Sequence, residues 1–269
     1  MHSRKPATPP ETTSRRPARY ACVALMLAGF LPATLMASTA AETGFVDTLS
    51  AHQKTLWRKS HNWANDWAKN NTGWRKENAR FANGVLHLDL TRRPVAGKPF
   101  ASGEYQSRAF YHYGRYEARM KSVAQEGLVT GFFTYTGPTF NGDPHHEIDF
   151  EFLGKAPRQV QLNYYTDGVG KHETHIDLGF DASEDFHLYA FEWRPDSIRW
   201  YVDGKLVHEE TGERGPLPSR PGKIYLNLFA GIGLTGWLGD FVYPGKPLTA
   251  EVSCVSFRPL DSTEPGCSD

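Results

Sequence analysis

The chain is poor in cysteine, has no charge bias, and contains only one long apolar run. Three cysteines in 269 residues cannot build a disulfide-dense scaffold or a cysteine-rich zinc module. Thirty basic residues balance thirty acidic ones. A chain without net charge has no long-range pull on a polyanion, which argues against nucleic acid and anionic membrane as partners. No segment shows sustained 3.6-residue apolar periodicity, and no internal repeat or linker marks a second domain. There is no phosphate loop, no Gly-x-Ser-x-Gly elbow and no dinucleotide fingerprint. His172 and His175 lie near Glu173 and Asp177, and His145-His146 abut a run of acids. Neither group has His-Glu-x-x-His spacing, so surface or cleft histidines are expected rather than a metal site.

The chain is rich in aromatics, with seven Trp, twelve Tyr and sixteen Phe. A β-rich core accounts for most of them. A minority can line a sugar-binding cleft, where ring faces pack on pyranose C–H faces.

The one apolar run, Ala21 to Leu35, follows a basic start with Arg4, Lys5, Arg15, Arg16 and Arg19. Small residues, Ala37 to Ala41, come next. This is the layout of an export signal, with cleavage expected near Ala40 or Ala41. The run is short for a membrane span. Residues 1–41 therefore read as signal and 42–269 as a single catalytic domain. That mature chain is expected to be secreted or periplasmic, off the membrane and monomeric. Cys22 goes with the signal. Cys254 and Cys267 remain, an even pair in an exported chain that fits a C-terminal disulfide. Two free thiols are the alternative that spacing alone leaves open.

From about residue 57 the chain reads as short strands between turn signals. Asn83-Gly84 precedes Val85–Leu90, and Asp203-Gly204 separates IRWYV (198–202) from Lys205-Leu206-Val207. GRYEARM (114–120), FHLYAFEW (186–193) and KIYLNLF (223–229) are further strand candidates. Many short strands with frequent turns predict an antiparallel all-β sandwich or barrel.

The informative strand is His145-His146-Glu147-Ile148-Asp149-Phe150-Glu151-Phe152-Leu153-Gly154. Period two places Glu147, Asp149 and Glu151 on one face and Ile148, Phe150 and Phe152 on the other. The apolar face suits a core. Three adjacent carboxylates repel one another and are costly where desolvated. A charged sheet edge would explain them without function, but it would favour lysine or mixed charge. Catalysis explains them better. Residues i and i+4 on a strand are roughly 13 Å apart at Cα. Side chains leaning inward by about 4 Å each bring the carboxyls to roughly 5 Å, the separation of a retaining glycosidase. Asp149 between them can hydrogen-bond to either and raise a neighbour's proton affinity. Spacing does not say which Glu attacks and which donates the proton.

EIDFEFLG resembles the signature of the family 16 glycoside hydrolases, and the likeness extends over about residues 57 to 257. It is carried by GWRKENARFANG (73–84), SGEYQS (102–107), GFFTYTGP (131–138), QVQLNYYTDGVG (159–170), the stretch from Leu178 to Gly204, and GIGLTGWLGDF (231–241). The chain is most similar to bacterial lichenases, the endo-β-1,3-1,4-glucanases. The resemblance implies a concanavalin-like β-jelly-roll sandwich of two antiparallel sheets, whose concave face forms the cleft. It implies Glu147 as nucleophile, Glu151 as acid/base and Asp149 as their support, with no cofactor for catalysis. It implies substrate contacts from Trp63, Asn65, Glu104, Phe133, Tyr135, Asn163, Tyr165, Glu173 and Trp237. His145 and Phe229 stand where lichenases carry tryptophans, and Gln106 stands where they carry arginine. The acidic residue that helps some lichenases hold a structural Ca²⁺ corresponds to Ser253, which weighs against calcium.

The expected activity is retaining endo-hydrolysis of a β-glycan. Mixed-linkage glucan and an acidic exopolysaccharide such as succinoglycan rank level as substrate, because the His pair suits a substituted or acidic glycan better than a Trp would. Two alternatives are a transglycosylase, since sugar can intercept the covalent intermediate, and a lectin on the same fold. Paired acids argue against the lectin.

Overall fold

Turn chemistry sets the reversals of the chain. Asn83 and Gly84 both have positive φ, 53° and 74°, and Asp203 and Gly204 repeat this at 47° and 78°. A two-residue type I′ hairpin needs this backbone, and Asn/Asp-Gly supplies it at least steric cost. The computed structural model describes residues 43–140 and 142–268. The expected signal, its cleavage site and Cys22 lie outside the described residues.

In chain order the first strands are β1 (Phe45–Asp47), β2 (Trp57–Lys59), β3 (Thr72–Trp74), β4 (Ala79–Ala82), β5 (Val85–Leu90) and β6 (Phe100–Ser102). Then come β7 (Glu104–Ser107), β8 (Gly114–Lys121), β9 (Leu128–Thr136), β10 (His146–Leu153), β11 (Gln159–Tyr165) and β12 (Thr174–Asp177). The last are β13 (His187–Trp193), β14 (Ile198–Val202), β15 (Lys205–Glu210), β16 (Lys223–Ala230) and β17 (Leu248–Pro259). A short α-helix, α1 (Thr235–Leu238), precedes β17.

Two large antiparallel sheets result, as the jelly-roll expectation requires. One has the order β15-β14-β13-β8-β17-β5-β4, with β1 on β17; the other runs β12-β11-β10-β9-β16-β7-β2. The pairing of β1 with β17 gives structure to an entry segment in which the sequence shows only weak pattern. Cys254 and Cys267 are bonded to each other, with Cα atoms 5.8 Å apart, so the bridge rather than the free thiols is what the structure contains. The Ser253 hydroxyl donates to the carbonyl of Arg119 at 3.3 Å.

The sheets face each other across an aromatic core. Ile148, Phe150 and Phe152 of β10 are all 2% exposed or less. Phe150 and Phe152 meet Tyr189 of the opposite sheet at 5.6 and 4.6 Å, and Phe132 meets Phe191 at 5.6 Å. Trp200 of that sheet donates its Nε1–H to the Asp149 carbonyl at 3.2 Å. Apolar burial from behind and this bond together fix the backbone from which the three acids project. Phe150→Ala should cost about 3–5 kcal/mol through lost burial and the cavity left behind. A fall in the denaturation midpoint, with the dependence on denaturant unchanged, would register it.

Candidate active site

Strand register lays the acids out in rows across the second sheet. Tyr165, Glu147, Tyr135 and Lys223 form one row. Asn163, Asp149, Phe133, Tyr225, Gln106 and Arg58 form the next. Gln161, Glu151, Gly131, Asn227 and Glu104 form the third. Since side chains alternate in direction along a strand, these rows share one face. That face floors a cleft of about 860 Å³ which takes in Glu147, Asp149 and Glu151 together.

The three carboxyls act on one another. Asp149 is buried, and its pKa is raised well above the usual range by desolvation, then by Glu147 and Glu151, with a hydrogen bond to Glu147 adding to the effect. Desolvation, followed by the Glu147 charge, pushes Glu151 up to about 8. The Gln161 amide works against that shift by donating to Glu151 Oε2 at 2.5 Å. Trp237 Nε1 donates to Gln161 Oε1 at 2.9 Å, which fixes the amide so that its NH₂ faces the acid. Glu147 Oε2 is 2.5 Å from His145 Nε2. A carboxyl that stays protonated to about pH 8, on one face with a second held between two hydrogen-bond partners, is suited to acid-assisted displacement at an acetal carbon.

Trp63, Asn65, Glu104, Phe133, Tyr135, His145, Tyr165, Phe229 and Trp237 all border the cleft. Asn163 and Glu173 do not. Asn163 is buried, and its Oδ1 accepts the backbone N–H of His172 at 3.2 Å. Its work in this structure is to hold the chain after β11. Glu173 is exposed and bears on the site through charge, raising Asp149 and Glu151. Glu104 borders the cleft but is almost fully buried there. Burial raises its pKa to about 7, against donation from Ser60 Oγ at 2.6 Å and Asn227 Nδ2 at 3.3 Å.

Several bordering residues escape a motif reading. Arg58, Trp67, Tyr225 and Asn227 line the cleft, and Trp67, 45% exposed, lies 6.5 Å from Trp237. Gly131 sits between Glu151 and Asn227 in the third row. A Cβ there would come 2.8 Å from Asn227 Oδ1, so the glycine keeps the floor open opposite Glu151. Gln161 stands in plain view within QVQLNYY, but its meaning depends on register with Glu151.

Comparison with known proteins agrees with this geometry. The pattern of glycosyl hydrolases family 16 matches residues 65–243. A beta-glucanase of Paenibacillus polymyxa is 45% identical over 234 residues, covering 87% of this chain and 95% of the relative. A beta-glucanase of Acetivibrio thermocellus is 46% identical over 227 residues, covering 83% of this chain; the chain spans only 65% of that relative's length. The crystal structure of a prokaryotic beta-1,3-1,4-glucanase (lichenase) derived from a mouse hindgut metagenome superposes with a TM-score of 0.76 at 44% identity, covering 81% of this chain and all (100%) of that one.

Proposed function

The chain belongs to glycosyl hydrolases family 16, and on that premise we propose that it cleaves internal bonds of β-1,3-1,4-glucan by double displacement, with Glu147 as nucleophile and Glu151 as acid/base. The observation that supports this most is the split character of the two Glu. Glu151 holds its proton to about pH 8, while Glu147 presents a carboxylate oxygen to His145. One carboxyl attacks the anomeric carbon as the other protonates the departing oxygen, and water then reverses the sequence. Asp149 carries a proton between them and donates to Glu147. A lectin on this fold would have no use for a desolvated acid cluster. The test is incubation with lichenan, barley glucan, laminarin and xyloglucan with sizing of products. Short oligosaccharides from the two mixed-linkage glucans only are expected. Cleavage of laminarin or xyloglucan alone would contradict the linkage assignment.

A second substrate reading rests on a separate observation. Arg58 lies on the cleft face; among the described residues its side chain makes no hydrogen bond or ion pair, and its charge works against the raised pKa of Glu104. Lys223 heads the first row, its Nζ 5.2 Å from the Phe110 ring centre and 5.1 Å from that of Phe140. Burial, then the charges of Arg58 and Arg108, hold its ammonium below the usual lysine range. Two cations on one sheet face, neither in an ion pair among the described residues, suit a glycan with carboxylate-bearing substituents, as in succinoglycan-type polymers. Carboxymethylated lichenan should therefore be cleaved with a higher kcat/KM than neutral lichenan at low ionic strength. Salt should erase the difference, and Arg58→Gln should reduce it. Equal rates on both polymers at every salt concentration would remove this reading.

Export as a monomer completes the proposal. The basic start, apolar run and small-residue site of residues 1–41 support it. Protein recovered outside the cytoplasm should begin near Ala41 or Glu42 and elute at the size of one chain. A product still carrying Met1 would refute export by cleavage.

A further inference from the structure

The two adjacent histidines that open β10 have separate surroundings. His146 is 3% exposed. Its Nδ1 accepts the backbone N–H of Ser219 at 3.2 Å, and its Nε2 is 3.2 Å from Asp167 Oδ1. It ties the start of the strand to two loops. His145 faces the cleft instead. Its ring stacks on Tyr165 at 4.7 Å with 17° between planes, and leans on Tyr135 at 5.1 Å. The backbone is held too, because the His145 carbonyl accepts the Gly168 N–H at 2.9 Å. A ring fixed on two sides aims Nε2 at Glu147 Oε2, 2.5 Å away. In the carboxylate form that a nucleophile must take, Oε2 can only accept, and the ring nitrogen is then the donor of this bond.

We propose that His145 is a positioning residue for the nucleophile: its Nε2–H occupies Oε2 of Glu147, turns Oε1 toward the anomeric carbon, and stabilises the carboxylate when it is released in the second step. This rests on Glu147 being the nucleophile. In the first step an Oε1 electron pair forms the bond to the anomeric carbon. The glycosidic C–O bond breaks, and its oxygen takes the proton of Glu151. Glu147 is now an ester whose carbonyl oxygen is Oε2. In the second step water attacks the anomeric carbon and gives its proton to Glu151. The C–Oε1 bond breaks, and the electron pair returns to Glu147.

Charge on Oε2 therefore falls in the first step and returns in the second. Hydrogen bonds to charged acceptors are about twice as strong as those to neutral ones. The His145 bond weakens as the ester forms and strengthens as the ester breaks. It accelerates release of the sugar while slightly opposing attack. The difference between charged and neutral bonds corresponds to about tenfold in rate.

The experiment uses an activated aryl β-glycoside of a mixed-linkage oligosaccharide, for which leaving-group departure is easy. His145→Phe keeps a ring on Tyr165 and removes the donor. His145→Gln loses the ring and keeps an N–H. For His145→Phe, steady-state kcat should fall about tenfold, kcat/KM should hold or rise, and a stoichiometric burst of phenol should precede the steady rate. His145→Gln should recover most of the lost kcat. If His145→Phe does not fold, His145→Leu tests the same loss of donor. Unchanged kcat without a burst, or kcat and kcat/KM falling together in both variants, would overturn the proposal. Mass analysis of the accumulated intermediate separates this from failure of the underlying reading. Sugar attached at Glu147 keeps that reading whatever His145 does, and sugar attached elsewhere removes it.

Discussion

Glu147→Ala should lose essentially all turnover of β-glucan, on the order of 10⁶-fold, the scale on which removal of a covalent nucleophile registers. The variant should fold. Glu147 sits on the solvent side of a strand whose stability comes from Ile148, Phe150 and Phe152 behind it. Its removal also relieves repulsion, since Glu147 raises the proton affinity of both Asp149 and Glu151. Azide can occupy the space left by the carboxylate and attack the anomeric carbon from the same side. With an activated aryl glycoside the product should be the glycosyl azide of inverted configuration, because only one displacement has occurred. Glu147→Gln, which keeps the volume, should be equally inactive and not rescued. Wild-type-like activity in either purified variant would remove Glu147 from the mechanism.

Glu151→Ala should separate substrates by leaving group. Loss of a positioned proton donor costs about 10²–10⁴-fold where the departing oxygen needs protonation, as in polysaccharide. An activated aryl glycoside needs little such help, so the variant should form the glycosyl-enzyme and then stall without a base for water. Azide needs no base and should release the sugar as the azide of retained configuration. The pH profile reports on the same residue independently. The acid form is the active one, and Glu151 is raised to about 8, so kcat/KM on polysaccharide should fall as pH rises through about 8. In Glu151→Ala acting on the aryl glycoside, that alkaline limb should vanish. Equal losses on both substrates with no azide rescue would require the roles of Glu147, Asp149 and Glu151 to be reassigned.

Features written locally in the chain are legible in the sequence itself. Alternation of acid and apolar residues over 147–152 places the carboxyls on one face, and Asn83-Gly84 and Asp203-Gly204 mark two hairpins. Features created by register are not legible in this way. Gln161 is one amide in a strand of mixed residues until β11 pairs with β10 and sets it opposite Glu151. Arg58 becomes a cleft residue only because β2 closes the sheet beyond β7. The placement of two further motif residues has the same origin. Asn163 and Glu173 match a motif for cleft contacts; in the structure Asn163 accepts the backbone N–H of His172 and Glu173 is exposed to solvent. Motif position fixes neighbours along the strand, while tertiary packing decides which of them meet the substrate.

The most direct test of the mechanism is the configuration of the first product. Wild-type enzyme at high concentration should be followed by proton NMR while it cleaves mixed-linkage glucan, faster than the new reducing ends mutarotate. Double displacement through Glu147 predicts that the β-anomer appears first and the α-anomer grows in later at the spontaneous rate. The α-anomer appearing first would mean a single displacement by water, and the account of Glu147 as nucleophile would be wrong.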